Sequence, residues 1–358
     1  MAALQPFRAV RYSGAAGPLA DLVAPPYDAV TPAERERLFL RSPHNVVRLT
    51  LPESAENAGR LYREWVDEGI LEQDGEPAIW LLEEEYVGPD GVARERRGVV
   101  ASIAAEPYSA GGVLPHERTH PRIREERLRL LRETRAQPEP IFLLHDGELV
   151  VETPERAPDL AADGSRVWRL DDAVLPASDS LLIADGHHRY ESAIELGEEL
   201  GGSGARIMAL VVSTSDPGLH VFPTHRVFSG RTDLAQPEGG ERFETVEEAM
   251  RQLARVPAGR SAAVAYRSGS AELLAGGEDE LDVELVDRYG LEGISYTPDA
   301  AAAVAAVDRG EADVAFLLRT PRVEDVFAAA RRGERMPPKS TYFFPKPLSG
   351  LLFPPVRP

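Results

Sequence analysis

The sequence predicts an α+β protein: a mixed α/β core elaborated by extra strands and helices, with a smaller C-terminal α/β portion. Short apolar runs alternate with amphipathic stretches along the chain, the pattern of strands interleaved with helices. Two β-rich runs, 79–87 and 92–104, are joined by Gly88-Pro89-Asp90-Gly91, a strong hairpin signal. A buried-type run at 181–184 passes through Asp185-Gly186 directly into a helical pattern.

In chain order, Val46, Val47 and Leu49 make residues 46–51 read as a strand. Ser54 caps a helix whose Ala58, Leu61, Tyr62, Trp65 and Val66 share a face. After the hairpin, residues 121–135 form a charged helix with Ile123, Arg127, Leu128 and Leu131 along one side, and 141–144 a strand. The Pro-, Asp- and Ala-rich stretch 152–165 reads as a surface connection. The strand 181–184 leads to a helix over 190–200, stopped by Gly201-Gly202-Ser203-Gly204, and a strand follows at 207–212. The loop-rich stretch 229–240 is the expected domain boundary, separating 1–230 from 231–358. Beyond it, Thr245 and Glu248 form a capping box for a helix to Ala254. Strands are expected at 264–266, 281–286 and 314–318, and helices at 298–308 and 323–332.

Composition narrows the chemistry. The 358 residues hold 59 acidic against 40 basic side chains, a formal charge of −19 that repels phosphate backbones and argues against a general nucleic-acid binder. With no cysteine, there is no disulfide framework, zinc knuckle, iron–sulfur cluster or thiol nucleophile. The first residues are too charged for a signal peptide and no window approaches a membrane span, so a soluble cytoplasmic protein is expected. Only two basic residues are lysines, Lys339 and Lys346, both in the segment 335–347.

Four clusters carry candidate chemistry. In the first, Asp185-Gly186-His187-His188-Arg189 opens a helix, where free backbone N–H groups and the macrodipole attract anions. Gly186 allows close backbone approach, two imidazoles and a guanidinium add donors, and Asp185 could orient a histidine or hold a metal. The plainer alternative has Asp185 as a helix cap beside partly exposed histidines.

The second is Pro115-His116-Glu117-Arg118-Thr119-His120, a carboxylate beside imidazoles, a guanidinium and a hydroxyl, suited to a general base. It matches the bare His-Glu-x-x-His string, but Pro115 and Pro121 bracket it and leave one turn at most, which speaks against a zinc protease. The third, Pro25-Pro26-Tyr27-Asp28, presents Tyr27 and Asp28 from a rigid turn, or else uses Asp28 to cap a helix near Pro32. The fourth is the C-terminal run 335–347, which includes Lys339-Ser340-Thr341 and holds both lysines, ammonium groups that arginine's planar fork does not replace at a tight phosphate site; the plainer alternative is an exposed, proline-stiffened tail. Thr224-His225-Arg226 is a weaker polar triplet of similar character.

Together these motifs, in this order and across nearly the whole chain, resemble the bacterial and archaeal domain-of-unknown-function family 1015. The Asp-Gly-His-His-Arg string is also similar to that of the ParB/sulfiredoxin-like superfamily, which includes free serine kinases. The resemblance implies a ParB/sulfiredoxin-like phosphate-binding domain over 1–230 and a C-terminal portion over 231–358 whose last strand returns basic residues to the site. Sulfiredoxin-type chemistry needs a cysteine, and ParB-type partition needs a basic DNA-binding region, so phosphoryl transfer to a small hydroxyl compound such as serine survives.

On that resemblance Glu117 serves as base, with Asp28 second, and Asp185 and His188 act beside it. Gly186, His187, Arg189, Lys339, Ser340, Thr341, Arg118, Thr119 and Arg226 would surround the phosphates of ATP, ADP or pyrophosphate, with Mg²⁺ held partly by Asp185. The implied partners are small molecules rather than nucleic acid or membrane, with a homodimer left open. Two other readings use the same groups: a noncatalytic ParB-like nucleotide-binding regulator, and a phosphohydrolase with water as acceptor.

Overall fold

In the computed structural model, residues 2–356 are described except 172, 174, 176, 177, 202–204 and 235–239. The expected helix stop at 201–204 and the expected boundary at 229–240 therefore lie partly outside the described residues. Strand β1 (Val10–Tyr12) precedes helices α1 (Pro32–Arg41), α2 (Val47–Thr50) and α3 (Ala55–Asp67), then β2 (Leu71–Gln73). The hairpin β3 (Ile79–Val87) and β4 (Ala93–Ala104) leads to β5 (Val113–Leu114), α4 (Pro121–Thr134) and β6 (Ile141–His145). Next come β7 (Leu160–Ala162), β8 (Ser165–Leu170), β9 (Leu181–Asp185), α5 (His187–Glu199) and β10 (Arg206–Ser213). Strands β11 (His220–Phe222), β12 (His225–Phe228) and β13 (Glu241–Phe243) are followed by α6 (Val246–Leu253). The remainder is β14 (Arg260–Arg267), β15 (Ser270–Glu278), α7 (Asp282–Asp287), β16 (Ile294–Thr297) and α8 (Ala300–Asp308), then β17 (Val314–Leu317), α9 (Val323–Arg331) and β18 (Tyr342–Phe344).

These elements build a mixed α+β architecture. An eight-stranded sheet runs β5-β9-β6-β10-β4-β3-β8-β7, and a six-stranded sheet runs β13-β15-β14-β17-β12-β16. Because side chains alternate across a strand, each sheet buries both faces. One face of the larger sheet carries Trp80, Leu82, Phe142, Leu144 and Leu210, packed with Phe327, Phe343 and Leu352 from the chain's last segment. Its other face carries Ile79, Ile141, Leu143 and Ile183 against Tyr190 and Ala193 of α5. The smaller sheet packs Val264 and Leu317 with Ala249, Leu253 and Ala303 of α6 and α8, and Phe228 and Phe316 with Val283 and Val286 of α7. Among the described residues, no helix is long and apolar enough to cross a membrane.

Local chemistry explains where the sequence reading holds. Gly91 at φ +73° and the Asp90 carboxylate, which accepts the Val92 N–H at 3.2 Å, close the β3–β4 hairpin. Ser54 and Thr245 cap α3 and α6 by accepting the N–H groups of Asn57 and Glu248. Two expected strands are helices instead. Residues 46–51 turn into α2 because Asn45 donates to the carbonyls of Asp21 and Val23 while its Oδ1 accepts the Val47 N–H at 3.0 Å. Val47, Leu49 and Thr50 are buried, and periodicity does not separate a short buried helix from a strand.

Residues 281–286 become α7 because Glu284 accepts the Leu281 N–H at 3.0 Å and places acidic residues in the first turn. The stretch expected as a surface connection contains the edge strand β7 and the start of β8, paired antiparallel. Asp28 does not cap α1: that cap is Thr31, which accepts the Glu34 N–H.

Candidate active site

Sheet topology brings the first two clusters together. β5 and β9 are parallel neighbours, with Val113 opposite Leu181 and Leu114 opposite Leu182. The segments that follow them, 115–120 and 186–190, therefore leave the same sheet edge in the same direction, the ends of parallel strands where open α/β sheets bind ligands. The fourth cluster joins through a bridge between Glu117 and Met336, with the Met336 N–H on the His116 carbonyl at 2.8 Å.

Gly186 makes the corner. At φ +98° it is the N-cap of α5, and a Cβ there would lie 2.7 Å from Ile141 Cγ2, so the turn admits only glycine without displacement. No side chain caps α5, which leaves its first-turn N–H groups without a side-chain acceptor. Asp185 instead accepts Arg189 Nη2 at 2.6 Å on one oxygen and Lys346 Nζ on the other. Lys346 also donates to Asp28 at 2.6 Å, so one ammonium ties 28, 185 and 346 together. Burial pushes the Asp185 carboxyl upward, but Lys346 and Arg189 outweigh it and hold it at about 2. Glu139 sits behind this group, accepting the Tyr27 N–H at 2.8 Å and Ser349 Oγ at 3.1 Å.

The histidines are fasteners. His187 Nε2 accepts the His116 N–H at 3.3 Å, and His188 Nε2 accepts the His120 N–H at 2.9 Å, so α5 grips the 115–120 segment on both sides of Glu117. An imidazole that accepts at Nε2 is neutral with its proton on Nδ1. Burial depresses both pKa values accordingly. The expectation that both imidazoles add donors for an anion is thus corrected at Nε2: desolvation and an acceptor role keep His187 and His188 neutral. His116 is buried and held at about 4 by desolvation. Its Nδ1–H donates to the Ile183 carbonyl at 2.7 Å, so its Nε2 accepts from Thr341 Oγ1 at 2.9 Å.

Glu117 lies between the fasteners, half-buried, with Oε1 accepting the Lys339 N–H at 3.3 Å. Burial raises its pKa, and the Lys339 and Lys346 charges only partly oppose this. Arg226, fully buried on β12, donates to the carbonyls of Thr224 and Lys339, while its Nη2 has no hydrogen-bond partner. Its nearest carboxylate is Asp287, at 3.4 Å.

Among the expected residues, Asp28, Glu117, Asp185, Gly186, His187, His188, Arg189, Arg226 and Thr341 belong to this connected network, as does the Lys339 backbone. Thr119 is one step removed, donating to Glu191 at 2.6 Å. Ser340 turns inward to the Pro337 carbonyl at 2.6 Å, and the side chains of Arg118 and Lys339 are exposed. Sequence reasoning missed Glu139, Tyr27 as a backbone donor, and Asp287. Only Glu139 carried a signal, its position between Pro138 and Pro140.

A Mg²⁺ ion at Asp185 does not fit. Both oxygens of that carboxylate are engaged by cations, and among the described residues no group of three or more His, Asp or Glu side chains could hold a metal.

The family described as "Protein of unknown function (DUF1015)" matches residues 4–292, and the chain belongs to it. An ADP-dependent L-serine kinase from Thermococcus kodakarensis is 25% identical over 174 residues, covering 47% of this chain and 69% of that kinase. Among solved structures, a free serine kinase in complex with AMP is 19% identical with a TM-score of 0.46, covering 73% of this chain and 91% of that one. SbnI with a C-terminal truncation, from Staphylococcus aureus, is 14% identical with a TM-score of 0.41, covering 71% of this chain and 87% of that one.

Proposed function

We propose that this protein is a small-molecule phosphotransferase, moving a phosphoryl group from a nucleotide or pyrophosphate to a hydroxyl acceptor of the serine type. The observation that carries the reading is Glu117: a carboxylate whose pKa burial raises, clamped by two histidine-accepted backbone bonds beside an uncapped helix start. A base must sit within reach of the proton it removes and have a pKa lifted toward neutrality, and Glu117 has the environment for that task. Phosphate oxygens are taken by the first-turn N–H groups of α5 and by Arg226 Nη2, a buried donor without a partner among the described residues. Glu117 accepts the acceptor hydroxyl's proton as its oxygen attacks phosphorus and the bond to the donor's bridging oxygen breaks; positioning and charge supply most of the rate. Asp185 and Lys346 act by holding the corner in shape.

The similarity to the ADP-dependent L-serine kinase supports serine as first acceptor and ADP as first donor to test. On the same reading, the eight-stranded sheet with α5 is the ParB/sulfiredoxin-like unit. The experiment incubates the purified chain with serine and, separately, ATP, ADP and pyrophosphate, each with and without Mg²⁺, and measures phosphoserine. Product formation that Glu117→Gln lowers by at least 100-fold, with the melting temperature unchanged, is the expected outcome. Absence of product with every donor, or full activity in Glu117→Gln, overturns the reading.

A further inference from the structure

On β12, successive side chains face opposite ways: Arg226 enters the candidate active site, while His225 enters a cleft of about 710 Å³ on the other side. The cleft lies between the β3–β4 hairpin tip and the α6/α8 face of the smaller sheet, and its volume is that of a small-molecule site. His225 is 2% exposed, and its Nδ1 accepts the Leu318 N–H at 3.1 Å. That bond leaves Nε2 protonated, and the N–H has no acceptor among the described residues.

Asp299 lines the same cleft as an acceptor. Its Oδ1 takes the N–H groups of Ala301 and Ala302, while Oδ2 receives no hydrogen bond from the described residues. A ring donor on a buried imidazole and a free acceptor thus share one cleft, between apolar surfaces supplied by Phe222, Met250 and Leu253. Among the described residues no free arginine or lysine lines it: Arg319 is held by both oxygens of Asp282 and by the carbonyls of Val256 and Arg260.

We propose that this cleft binds an uncharged, planar nitrogen heterocycle presenting a ring acceptor beside an amino donor, the edge offered by an aminopurine. The ring nitrogen accepts from His225 Nε2–H, the amino group donates to Asp299 Oδ2, and the apolar side chains sandwich the ring. A phosphate-bearing ligand meets the Asp299 carboxylate here with no ion-pair partner among the described residues, which sets this site apart from the anion-seeking corner at Gly186.

The test is calorimetric titration of the full chain with adenosine and with inosine, whose six-membered ring presents the reversed donor–acceptor edge. Adenosine binds one per chain, and inosine at least tenfold more weakly. His225→Asn keeps an acceptor for the Leu318 N–H but removes the Nε2 donor, and weakens adenosine about tenfold. Ala301 is exposed at the cleft, so Ala301→Trp blocks the cleft without entering the core and abolishes adenosine binding. No adenosine binding to the unaltered chain, equal binding of inosine, or adenosine binding that Ala301→Trp leaves intact each overturns the proposal. Phosphoserine formation without adenosine is read separately, so failure here is distinguishable from failure of the phosphotransferase reading.

Discussion

Replacing Lys346 by Met tests the charge logic of the corner. The ammonium donates to Asp185 and Asp28, and its side chain and that of Asp185 are each 14% exposed. Removing one partner of a buried pair costs about 3–5 kcal/mol because the remaining charge stays desolvated. Asp185 retains Arg189, and Asp28 is 27% exposed, so the low end applies, about 3 kcal/mol. At about 2–4 °C per kcal/mol, this lowers the melting temperature by roughly 6–12 °C.

The pH dependence carries a sign. Depression of the Asp185 carboxyl from its ordinary 3.8 to about 2 corresponds to roughly 2 kcal/mol of stability. Since the folded value lies below the unfolded one, that stability is present above pH 4 and lost as the pH falls toward 2. Lys346→Met raises the folded value and removes this dependence. Adding Asp28→Asn to Lys346→Met recovers part of the loss by removing one uncompensated carboxylate. The assay is thermal unfolding by circular dichroism at pH 7 and between pH 4 and 2.5. A Lys346→Met protein melting within 2 °C of the parent at pH 7 refutes the reasoning.

Three further outcomes follow from the same geometry. His116 and His225 are each held at about 4, below the ordinary 6.5, so the unfolded chain binds more protons and urea-measured stability falls between pH 6.5 and 4; a flat profile contradicts their burial as neutral groups. His188→Phe removes the acceptor for the exposed His120 N–H, costs about 0.5–1.5 kcal/mol and frees the Glu117 segment, so phosphoserine formation falls at least tenfold; unchanged kcat with unchanged stability refutes the fastener role. Gly186→Ala forces a Cβ to 2.7 Å from Ile141 at φ +98°, destabilising by roughly 1–3 kcal/mol; a variant as stable as the parent shows that the corner tolerates a side chain.

Local chemistry was legible where it acts within a few residues. The hairpin around Gly88–Gly91, the Ser54 and Thr245 caps and the Asp-Gly corner before α5 are stated by spacing alone, because turns and caps are closed by neighbours in sequence. The runs at 46–51 and 281–286 carry the pattern of strands because buried apolar segments of that length look alike in either structure. What made them helices was an amide side chain reaching the carbonyls of Asp21 and Val23 in one case and a carboxylate at the helix start in the other.

By itself, the sequence determined the mixed architecture, the loss of thiol and disulfide chemistry, and the short segments from which a site would be made. It even singled out the two lysines, but not their use. Only the tertiary structure decided that Lys346 neutralises Asp28 and Asp185 rather than standing free, and that His187 and His188 are neutral acceptors. The reason is physical. A side chain's charge and hydrogen-bonding role depend on desolvation and on partners that strand pairing brings from as far as 318 positions away, and neither is a property of local spacing.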